Sequence, residues 1–443
     1  MTPIISVGYS SERQGKPRPN TAAVKPSNTS KAETYFTLCG ITCYCELCFL
    51  KAAAIMLTAL SINNYRSILD LKVPLGPLNV ITGENGTGKS NLYKALRLLA
   101  ETAQGGVVPA IAKEGGLDST FWAGPETLSR AMKQGEQAVE YTVRQRTKRM
   151  KLGFATEQFS YAISLGLPVP SSQTMFGQDP EIKRECIWNG QVYRPSSSLI
   201  DRKGAMIKAR SGRQWQVISQ HIASYHSLFD QMADPVATPE AFQLRETIRG
   251  WRFYDHFRTD RDAPARQAQL ATRTPVLHHD GRDLAAALQT IIEIGDKETL
   301  FKAIDYAFPG ASIRIIHHAD SRFSLEFSQQ GLLRPLTGAE LSDGTLRFLL
   351  WVAALLTPRP PSLMVLNEPE TSLHPDLLPA LARLILHATK HSQLWVVSHS
   401  PRLIAALEQH PDCNAIKLEK EMGQTVIPGQ DILTTPSWHW PDE

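Results

Sequence analysis

Gly83-Glu84-Asn85-Gly86-Thr87-Gly88-Lys89-Ser90 is the stretch of sequence that decides the fold. It has the form G-x-x-x-x-G-K-[ST] of a phosphate-binding loop, whose glycines let backbone N–H groups turn toward phosphate oxygens. The apolar run at 78–81 predicts a buried strand before the loop, and the periodicity of 91–100 predicts an amphipathic helix after it. This strand–loop–helix context indicates a nucleotide site in an α/β fold.

The motif also assigns roles within the loop. Lys89 is predicted to reach the β- and γ-phosphates, and Ser90 is predicted to hold Mg²⁺. The helix that follows would direct the positive end of its dipole at the same phosphates. The residues predicted to bind the nucleotide are Gly83, Glu84, Asn85, Gly86, Thr87, Gly88, Lys89, Ser90 and Asn91.

The second half of the site is predicted far downstream. The run at 361–366 reads as a buried strand that ends in Asn367 and Glu368. An acidic group at the end of such a strand binds Mg²⁺ or orients the attacking water, so Glu368 is the predicted catalytic base. A third apolar strand, 394–397, precedes His399, which is suited to sense the γ-phosphate.

Between the loop and the acidic strand, Ser342 and Gly344 stand at the start of a helical run. The N-terminus of a helix favours binding of an anion. Plainer interpretations exist for each pattern. Ser342 fits an ordinary N-cap, His399 fits a structural histidine, and Glu368 fits one half of a surface ion pair. The order of the four patterns along the chain favours the functional interpretation.

This order resembles that of the ABC-class ATPases, and within them the RecF/SMC-like branch of DNA-associated ATPases. The forms "LSDGT" at 341–345 and "NEPETSLHP" at 367–375 resemble the RecF-like predicted AAA ATPases of bacteria. The resemblance covers 56–100 and 337–431. It implies a P-loop NTPase of the ABC-ATPase head type: an α/β fold with a mixed sheet flanked by helices and an inserted α+β lobe.

The resemblance also implies roles for single residues. The loop would be the Walker A motif, and 341–345 the signature that contacts the γ-phosphate of ATP bound to a second subunit. Glu368 would be the catalytic glutamate, 369–374 the D-loop and His399 the switch histidine, with Lys89 completing the catalytic set. ATP and Mg²⁺ are the implied ligands, and an ATP-dependent homodimer is the implied assembly.

Two departures from the family pattern affect these expectations. The signature reads Leu-Ser-Asp-Gly-Thr rather than Leu-Ser-Gly-Gly-Gln, and Asn367 stands where a Walker B aspartate is usual. Asparagine accepts a hydrogen bond from a Mg²⁺-bound water but carries no charge. We therefore expect weak metal binding, through water, and slow hydrolysis. Gln134 and Gln137 match the family's Q-loop only by distance, so that glutamine stays unassigned.

The chain is predicted to divide into five segments. Residues 1–55 are expected to be a disordered extension upstream of a natural start at Met56. The ATPase core is expected at 56–101 and 337–432, the inserted lobe at 102–336 and a tail at 433–443. Within the lobe, the residue pattern predicts a helix over 214–228.

Composition narrows the class of protein. The 443 residues carry a formal net charge of +4, which does not by itself indicate nucleic acid. No uncharged apolar run is long enough to cross a bilayer, so no membrane partner is expected. Cys39, Cys43, Cys45 and Cys48 miss the usual metal-site spacings, so reduced cysteines are favoured over a zinc or iron–sulfur site. With two further cysteines, this fits a reducing cytoplasm.

Two basic stretches are candidate DNA contacts, and both have plainer interpretations. The first contains Arg144, Arg146, Lys148 and Arg149, and a solvated loop is the favoured interpretation, because charge runs usually are solvated. The second, 249–258, interleaves Arg252 and Arg258 with aromatic residues that could stack bases. Its aromatic residues could instead be core, with neighbouring aspartates pairing the arginines. A DNA-repair or replication-linked ATPase is therefore one hypothesis, and an ATPase that gates a protein effector, as in phage defence, is the other.

Overall fold

Three β-sheets and the helices that cover them make up the computed structural model, which describes residues 55–125, 148–169, 175–231, 234–431 and 433–441. The described strands are β1 Leu57–Tyr65, β2 Ile68–Pro74, β3 Leu78–Gly83, β4 Arg149–Thr156, β5 Phe159–Gly166, β6 Glu181–Asn189, β7 Ser198–Lys203, β8 Met206–Ser211, β9 Gln214–Ser219, β10 Arg252–Tyr254, β11 Gln269–Leu270, β12 Ser312–His317, β13 Arg322–Ser328, β14 Leu336–Thr337, β15 Leu363–Asn367, β16 Gln393–Val397, β17 Cys413–Glu421 and β18 Gln424–Val426. The described α-helices are α1 Lys89–Thr102, α2 Val107–Lys113, α3 Leu117–Thr120, α4 Leu228–Gln231, α5 Pro239–Gly250, α6 Leu284–Ile294, α7 Lys297–Ala307, α8 Asp343–Leu355, α9 Leu378–Ala388 and α10 Pro401–Glu408.

The central sheet has six strands in the order β10-β15-β16-β3-β17-β18. The first five run parallel, and β18 returns antiparallel to β17, so the predicted mixed sheet flanked by helices is confirmed. Strands covered on both faces need continuous apolar sequence. This explains why the predicted strands at 78–81, 361–366 and 394–397 are all found, within a residue or two, as β3, β15 and β16.

An eight-stranded antiparallel sheet, ordered β2-β1-β4-β5-β6-β7-β8-β9, forms the second layer. Successive side chains of each strand point to opposite faces of the sheet. Met150, Leu152 and Phe154 of β4 therefore share one face and form a core with Leu92 and Leu96 of α1. On the opposite face a smaller apolar cluster forms around residues such as Trp188 and Trp438. The helix that follows the phosphate-binding loop therefore packs on the inner face of this sheet.

The third sheet, built from β11, β13, β12 and β14, shares a core with α6, α7 and α8. The segment 102–336, predicted to be an inserted lobe, contributes strands to all three sheets. Its strand β10 pairs with β15 inside the central sheet, through Phe253 beside Val365. The domain bounds stay a prediction, but this pairing shows that part of the segment belongs to the central sheet.

The helix predicted over 214–228 was wrong. Residues 214–219 form β9, the exposed edge of the eight-stranded sheet, and only Leu228–Gln231 at the far end is helical. The physical reason is the alternation of Trp215 and Val217 with glutamines, which has the period of a strand rather than of a helix.

Several predictions lie outside the described residues. They are those for nearly all of the segment 1–55 with its four cysteines, for Arg144 and Arg146, and for the two Q-loop candidates. Cys186 and Cys413, which the structure does describe, are both free thiols. Within the described ranges, none of the helices has both the length and the apolar character that a bilayer crossing demands.

A buried ion pair ties the eight-stranded sheet to the chain that follows it. Arg202 of β7 donates to Glu185 of β6 at 2.6 Å, and both side chains are 0% exposed. Glu185 also accepts hydrogen bonds from Tyr161 Oη, Ser227 Oγ and the Leu228 backbone N–H. Arg202 donates in addition to main-chain carbonyls, including that of Ala223. The desolvation cost of both charges is thus offset by a hydrogen-bond network.

We expect Arg202→Met to lower the free energy of unfolding by about 3–5 kcal/mol, because it leaves the Glu185 carboxylate buried without its cation. Thermal unfolding followed by circular dichroism measures the effect. The control is Arg258→Met, because Arg258 pairs with Asp260 on the surface, where side chains are about half exposed, and should leave the Tm nearly unchanged. Equal Tm values for the two variants would contradict the role given to the buried pair.

Candidate active site

The carboxyl ends of three adjacent parallel strands bring the predicted site together. In the central sheet β16 lies between β15 and β3, with Val397 in register with both Asn367 and Ile81. The strands therefore end at the same level, and the loops that leave them share one edge. The phosphate-binding loop, Glu368 and His399 all lie at this edge.

The loop after β3 has the backbone that its glycines allow. Gly83, Gly86 and Gly88 have φ of 147°, 83° and 106°, in the region that favours glycine. A Cβ on Gly83 would lie 2.6 Å from the Leu418 carbonyl oxygen, and one on Gly88 would lie 2.1 Å from Thr425 Oγ1. Among the described residues no side chain caps the first turn of α1, so its N–H groups stay available to the loop. This is the geometry that a phosphate group requires.

Lys89 lies at the centre of the loop. Its side chain is buried, and its Nζ donates to the carbonyl oxygens of Gly83 at 2.6 Å and Glu84 at 2.9 Å. Thr87 Oγ1 also donates to the Glu84 carbonyl, at 2.9 Å. Ser90 is exposed on the first turn of α1. The loop thus places one cation and one free hydroxyl group at the start of the helix.

Two residues that the sequence did not single out support the loop from below. Thr425 Oγ1 donates to the Thr87 carbonyl oxygen at 2.8 Å and lies 2.7 Å from Ser67 Oγ. Asn91, predicted to bind the nucleotide, instead donates its side-chain amide to Ser67 Oγ at 2.8 Å. Ser67 lies in the β1–β2 turn and Thr425 in β18, so only folding brings them under the loop.

Glu368 and His399 meet at the edge of the sheet. His399 Nδ1 lies 3.8 Å from Glu368 Oε1, and the two side chains are 56% and 46% exposed. Glu368 has a φ of 49°, and its backbone N–H donates to the Val397 carbonyl oxygen at 2.8 Å. The chain therefore turns away from β15 at Glu368, and this turn lies beside the end of β16. The structure therefore brings together the two residues predicted as base and switch.

Glu370 lies at this edge within 369–374, the segment predicted to be the D-loop, but the sequence did not assign it a role of its own. Its buried Oε1 accepts hydrogen bonds from Ser398 Oγ at 2.7 Å and from the backbone N–H groups of His399 at 2.9 Å and Ser400 at 3.1 Å. It thereby fixes the turn that carries His399. Neither the D-loop resemblance nor the repeat of glutamate around Pro369 says which carboxylate is buried.

The signature segment lies elsewhere along the edge. Ser342 is the N-cap of α8, and its Oγ accepts from the Thr345 backbone N–H at 3.1 Å. The plainer interpretation of this serine as an N-cap is therefore correct, although Ser342 itself is exposed. A Cβ on Gly344 would lie 3.4 Å from the Ser372 carbonyl oxygen, which places the start of α8 beside the loop after β15.

Two arginines hold the signature in place. Arg266 donates to the Leu341 carbonyl oxygen and to Asp343 Oδ1, each at 2.6 Å, and also to the Thr259 carbonyl oxygen. Arg347, in α8, donates to the carbonyl oxygens of Thr371 at 2.9 Å and Phe257 at 2.8 Å. Burial lowers the pKa of the Arg347 guanidinium. The signature is thereby fixed between the chain after β10 and the chain after β15.

Most aromatic residues of the second basic stretch are internal. Trp251, Tyr254 and Phe257 are buried core residues, so they are not available to stack bases. Arg252 donates to backbone carbonyls at the end of α5, and Arg258 pairs with Asp260. The core interpretation therefore explains the aromatic residues of the stretch, and the DNA contacts of Arg252 and Arg258 stay a prediction. In the first stretch, Lys148 is exposed and Arg149 is half-buried.

A protein-family model described as "AAA domain, putative AbiEii toxin, Type IV TA system" matches residues 78–405. The chain belongs to this family. The match runs from β3 into α10 and so contains the phosphate-binding loop, Glu368 and His399. It identifies the protein as an AAA-type P-loop ATPase, which confirms the class of enzyme and the kind of fold expected from the motifs.

Other proteins share parts of this chain. An OLD nuclease of Thermus scotoductus is 43% identical over 44 residues, which are 10% of this chain and 8% of that protein. An SMC head bound to the C-winged helix domain of ScpA is 13% identical, with a TM-score of 0.46 over 85% of this chain and 99% of that chain. The SMC head of Thermotoga maritima is 12% identical, with a TM-score of 0.43 over 85% and 100%. The match to the OLD nuclease thus spans less than a tenth of that protein's length.

We expect Glu370→Ala to lower the Tm by several degrees, because a removed acceptor leaves buried donors unpaired at about 1–3 kcal/mol each. Glu368→Ala is the matched control, since it removes an exposed carboxylate two residues away and should change the Tm little. Differential scanning calorimetry compares the two. A Tm for Glu370→Ala equal to that of the control would show that Glu370 does not fix the turn.

Proposed function

We propose that this AAA-family ATPase is a two-state switch in which two copies of the chain enclose ATP between them. Lys89 of one copy would bind the phosphates, and Ser342 of the other copy would contact the γ-phosphate. Bound ATP would hold the dimer closed, and hydrolysis would release it. A cytoplasmic location is part of the same proposal.

The observation that carries this proposal is the position of the signature in the sheet. The signature is fixed between the chain segments that follow β10 and β15, whereas the phosphate-binding loop follows β3. These strands are two to three positions apart, which is roughly 10–14 Å at the usual strand spacing. A serine side chain does not span such a gap. Ser342 therefore suits a nucleotide held by another copy better than one held by its own loop.

Hydrolysis in this proposal relies on the edge formed by β15 and β16. Glu368 would orient the attacking water and accept its proton, and His399, 3.8 Å away, would sense the γ-phosphate. Glu370 would position His399 through its backbone. Ser90, and Asn367 through a water, would hold Mg²⁺, which when bound neutralises phosphate charge. Because Asn367 carries no charge, slow turnover is expected.

DNA is the first candidate partner. The support is the short match to an OLD nuclease and the exposed basic residue Lys148, which follows Arg144 and Arg146 in the chain. A DNA repair or double-strand break repair role, or a replication-linked one, would use the ATP-driven closure to clamp the nucleic acid.

A protein effector is the second candidate partner. Two observations favour it. The description of the family names a putative toxin of a type IV toxin–antitoxin system. In addition, Arg252 and Arg258 form hydrogen bonds or ion pairs with groups of their own chain. In this alternative the ATPase would gate a defence effector without binding DNA.

We expect Lys89→Ala to abolish ATP binding, because it removes the cation from the loop. Glu368→Gln should retain binding, lose nearly all hydrolysis and accumulate an ATP-dependent dimer. Equilibrium binding of a fluorescent ATP analogue, steady-state hydrolysis and sedimentation velocity measure these effects. Unchanged affinity in Lys89→Ala would contradict the loop assignment, and a Glu368→Gln protein that stays monomeric with ATP and Mg²⁺ would contradict the switch.

Salt dependence separates the two partners. A DNA clamp should lose affinity steeply between about 50 and 200 mM salt, because counterions are released on binding. Fluorescence anisotropy with duplex, single strand and junction tests this. Arg144→Gln/Arg146→Gln/Lys148→Gln should weaken binding and flatten the salt slope, whereas Arg252→Gln/Arg258→Gln should not. Absence of binding to all three forms at low salt would favour the protein effector.

A further inference from the structure

A cavity of about 120 Å³ lies on the face of the eight-stranded sheet that faces away from α1. Cationic side chains from three strands line it. They are Arg149 and Lys151 of β4, Lys183 and Arg184 of β6, and Lys203 of β7. Strand register explains the cluster, because Arg184 lies opposite both Ser164 of β5 and Lys203, and residues opposite one another in neighbouring strands point to the same face.

Two acidic side chains orient part of this cluster. Asp201 accepts from Arg184 Nε at 2.9 Å and from Arg184 Nη2 at 3.1 Å, and Glu181 pairs with Lys183. The bidentate pair fixes the plane of the Arg184 guanidinium and leaves its third nitrogen, Nη1, for another acceptor. The arginine is thus held in one orientation at the cavity wall.

Four buried polar atoms of the cavity lining have no hydrogen-bond partner among the described residues. They are Arg149 Nε, Ser164 Oγ, Arg184 Nη1 and Trp440 Nε1. Each is a donor, and Arg184 is nine-tenths buried. Buried polar atoms in native proteins are nearly always paired, if not within the protein then with a water or an ion. Four donors without a partner in the lining of one cavity suit a ligand that offers several acceptor oxygens.

The C-terminal segment 433–441 forms one side of the cavity. Trp438 packs over Gly153, where a Cβ would lie 2.5 Å from the indole, and its ring centroid lies 5.3 Å from that of Trp188. Trp440, 5.2 Å from Trp438, and Pro441 then form one wall of the cavity. The site is therefore built by both the sheet and the tail, and it stands on the opposite face of the sheet from the helix of the nucleotide loop.

We propose that this cavity is a second phosphate-binding site, separate from the loop at 83–90. A phosphate offers several acceptor oxygens around a compact negative charge, which matches a lining that contains guanidinium, ammonium, hydroxyl and indole groups. The cavity also exceeds the roughly 30 Å³ that one water occupies in the liquid. The same chemistry fits inorganic phosphate or the terminal phosphate of a nucleic acid strand. It does not depend on the ATP switch.

Isothermal titration with inorganic phosphate tests the site in full-length protein that carries Lys89→Ala, so that the nucleotide loop does not contribute. We expect saturable binding that Arg149→Gln/Lys203→Gln weakens by about tenfold or more, since two charge-assisted hydrogen bonds are lost. Lys72→Gln/Lys208→Gln is the control, because it removes the same charge from the same face outside the cavity lining. No saturable binding, or equal losses in both double variants, would overturn the site.

Ser164→Ala provides a second test that does not depend on charge. It deletes a buried hydroxyl without a partner, so it should leave the Tm unchanged or higher while weakening phosphate severalfold. Undiminished phosphate affinity would count against the site. Competition identifies the source of the phosphate: displacement by a 5′-phosphorylated oligonucleotide, but not by its hydroxyl-terminated counterpart, indicates a strand end, and displacement by neither indicates free phosphate. The site stands with either result.

Discussion

The parallel register of β3, β16 and β15 determines what the active-site edge can do. Since Val397 is level with Ile81 on one side and Asn367 on the other, the chain leaves all three strands at one height. The glycine loop, Glu368 and His399 are then neighbours without any long side chain having to reach. The Glu370 carboxylate fixes this arrangement further, because it binds the turn after β16 from the loop after β15.

The same register separates the signature from the loop. The position of Ser342 is set by the chain segments after β10 and β15 through Arg266 and Arg347, and one or two parallel strands lie between these segments and β3. In the proposed switch, the signature and the phosphate-binding loop of one copy would therefore contact different nucleotides. Under the proposal, a second copy would place its own signature against the nucleotide held by the first.

Much of this edge was predictable from the sequence because it is local. The loop at 83–90 lies on consecutive residues, and the strands before and after each motif are short apolar runs bounded by polar residues. The supports were not predictable in this way. Thr425 reaches Thr87 across most of the chain, and Glu370 differs from Glu368 only in which of the two is buried. Three-residue β10 carries too little sequence to reveal a strand of the central sheet, and the alternation in β9 was misread as helical.

The two faces of the eight-stranded sheet contact different parts of the molecule. Its inner face supports α1 and so the nucleotide loop, whereas its outer face and the C-terminal segment enclose the cationic cavity with unpaired donors. The local sequence does not predict that cavity, because its lining residues come from four strands and the C-terminal segment. Tertiary structure alone places Arg149, Arg184 and Trp440 around one space.

Subunit complementation tests the central claim, that the ATP site is shared between two copies, most directly. Lys89→Ala and Ser342→Arg proteins, each inactive alone, would be mixed and their ATP hydrolysis measured. A shared site predicts recovery of about a quarter of the unmodified rate, because half of randomly formed dimers are mixed and each mixed dimer contains one intact site. If each copy instead completed its own site, every copy in the mixture would carry a defect, and the absence of recovery in verified mixed dimers would contradict the account.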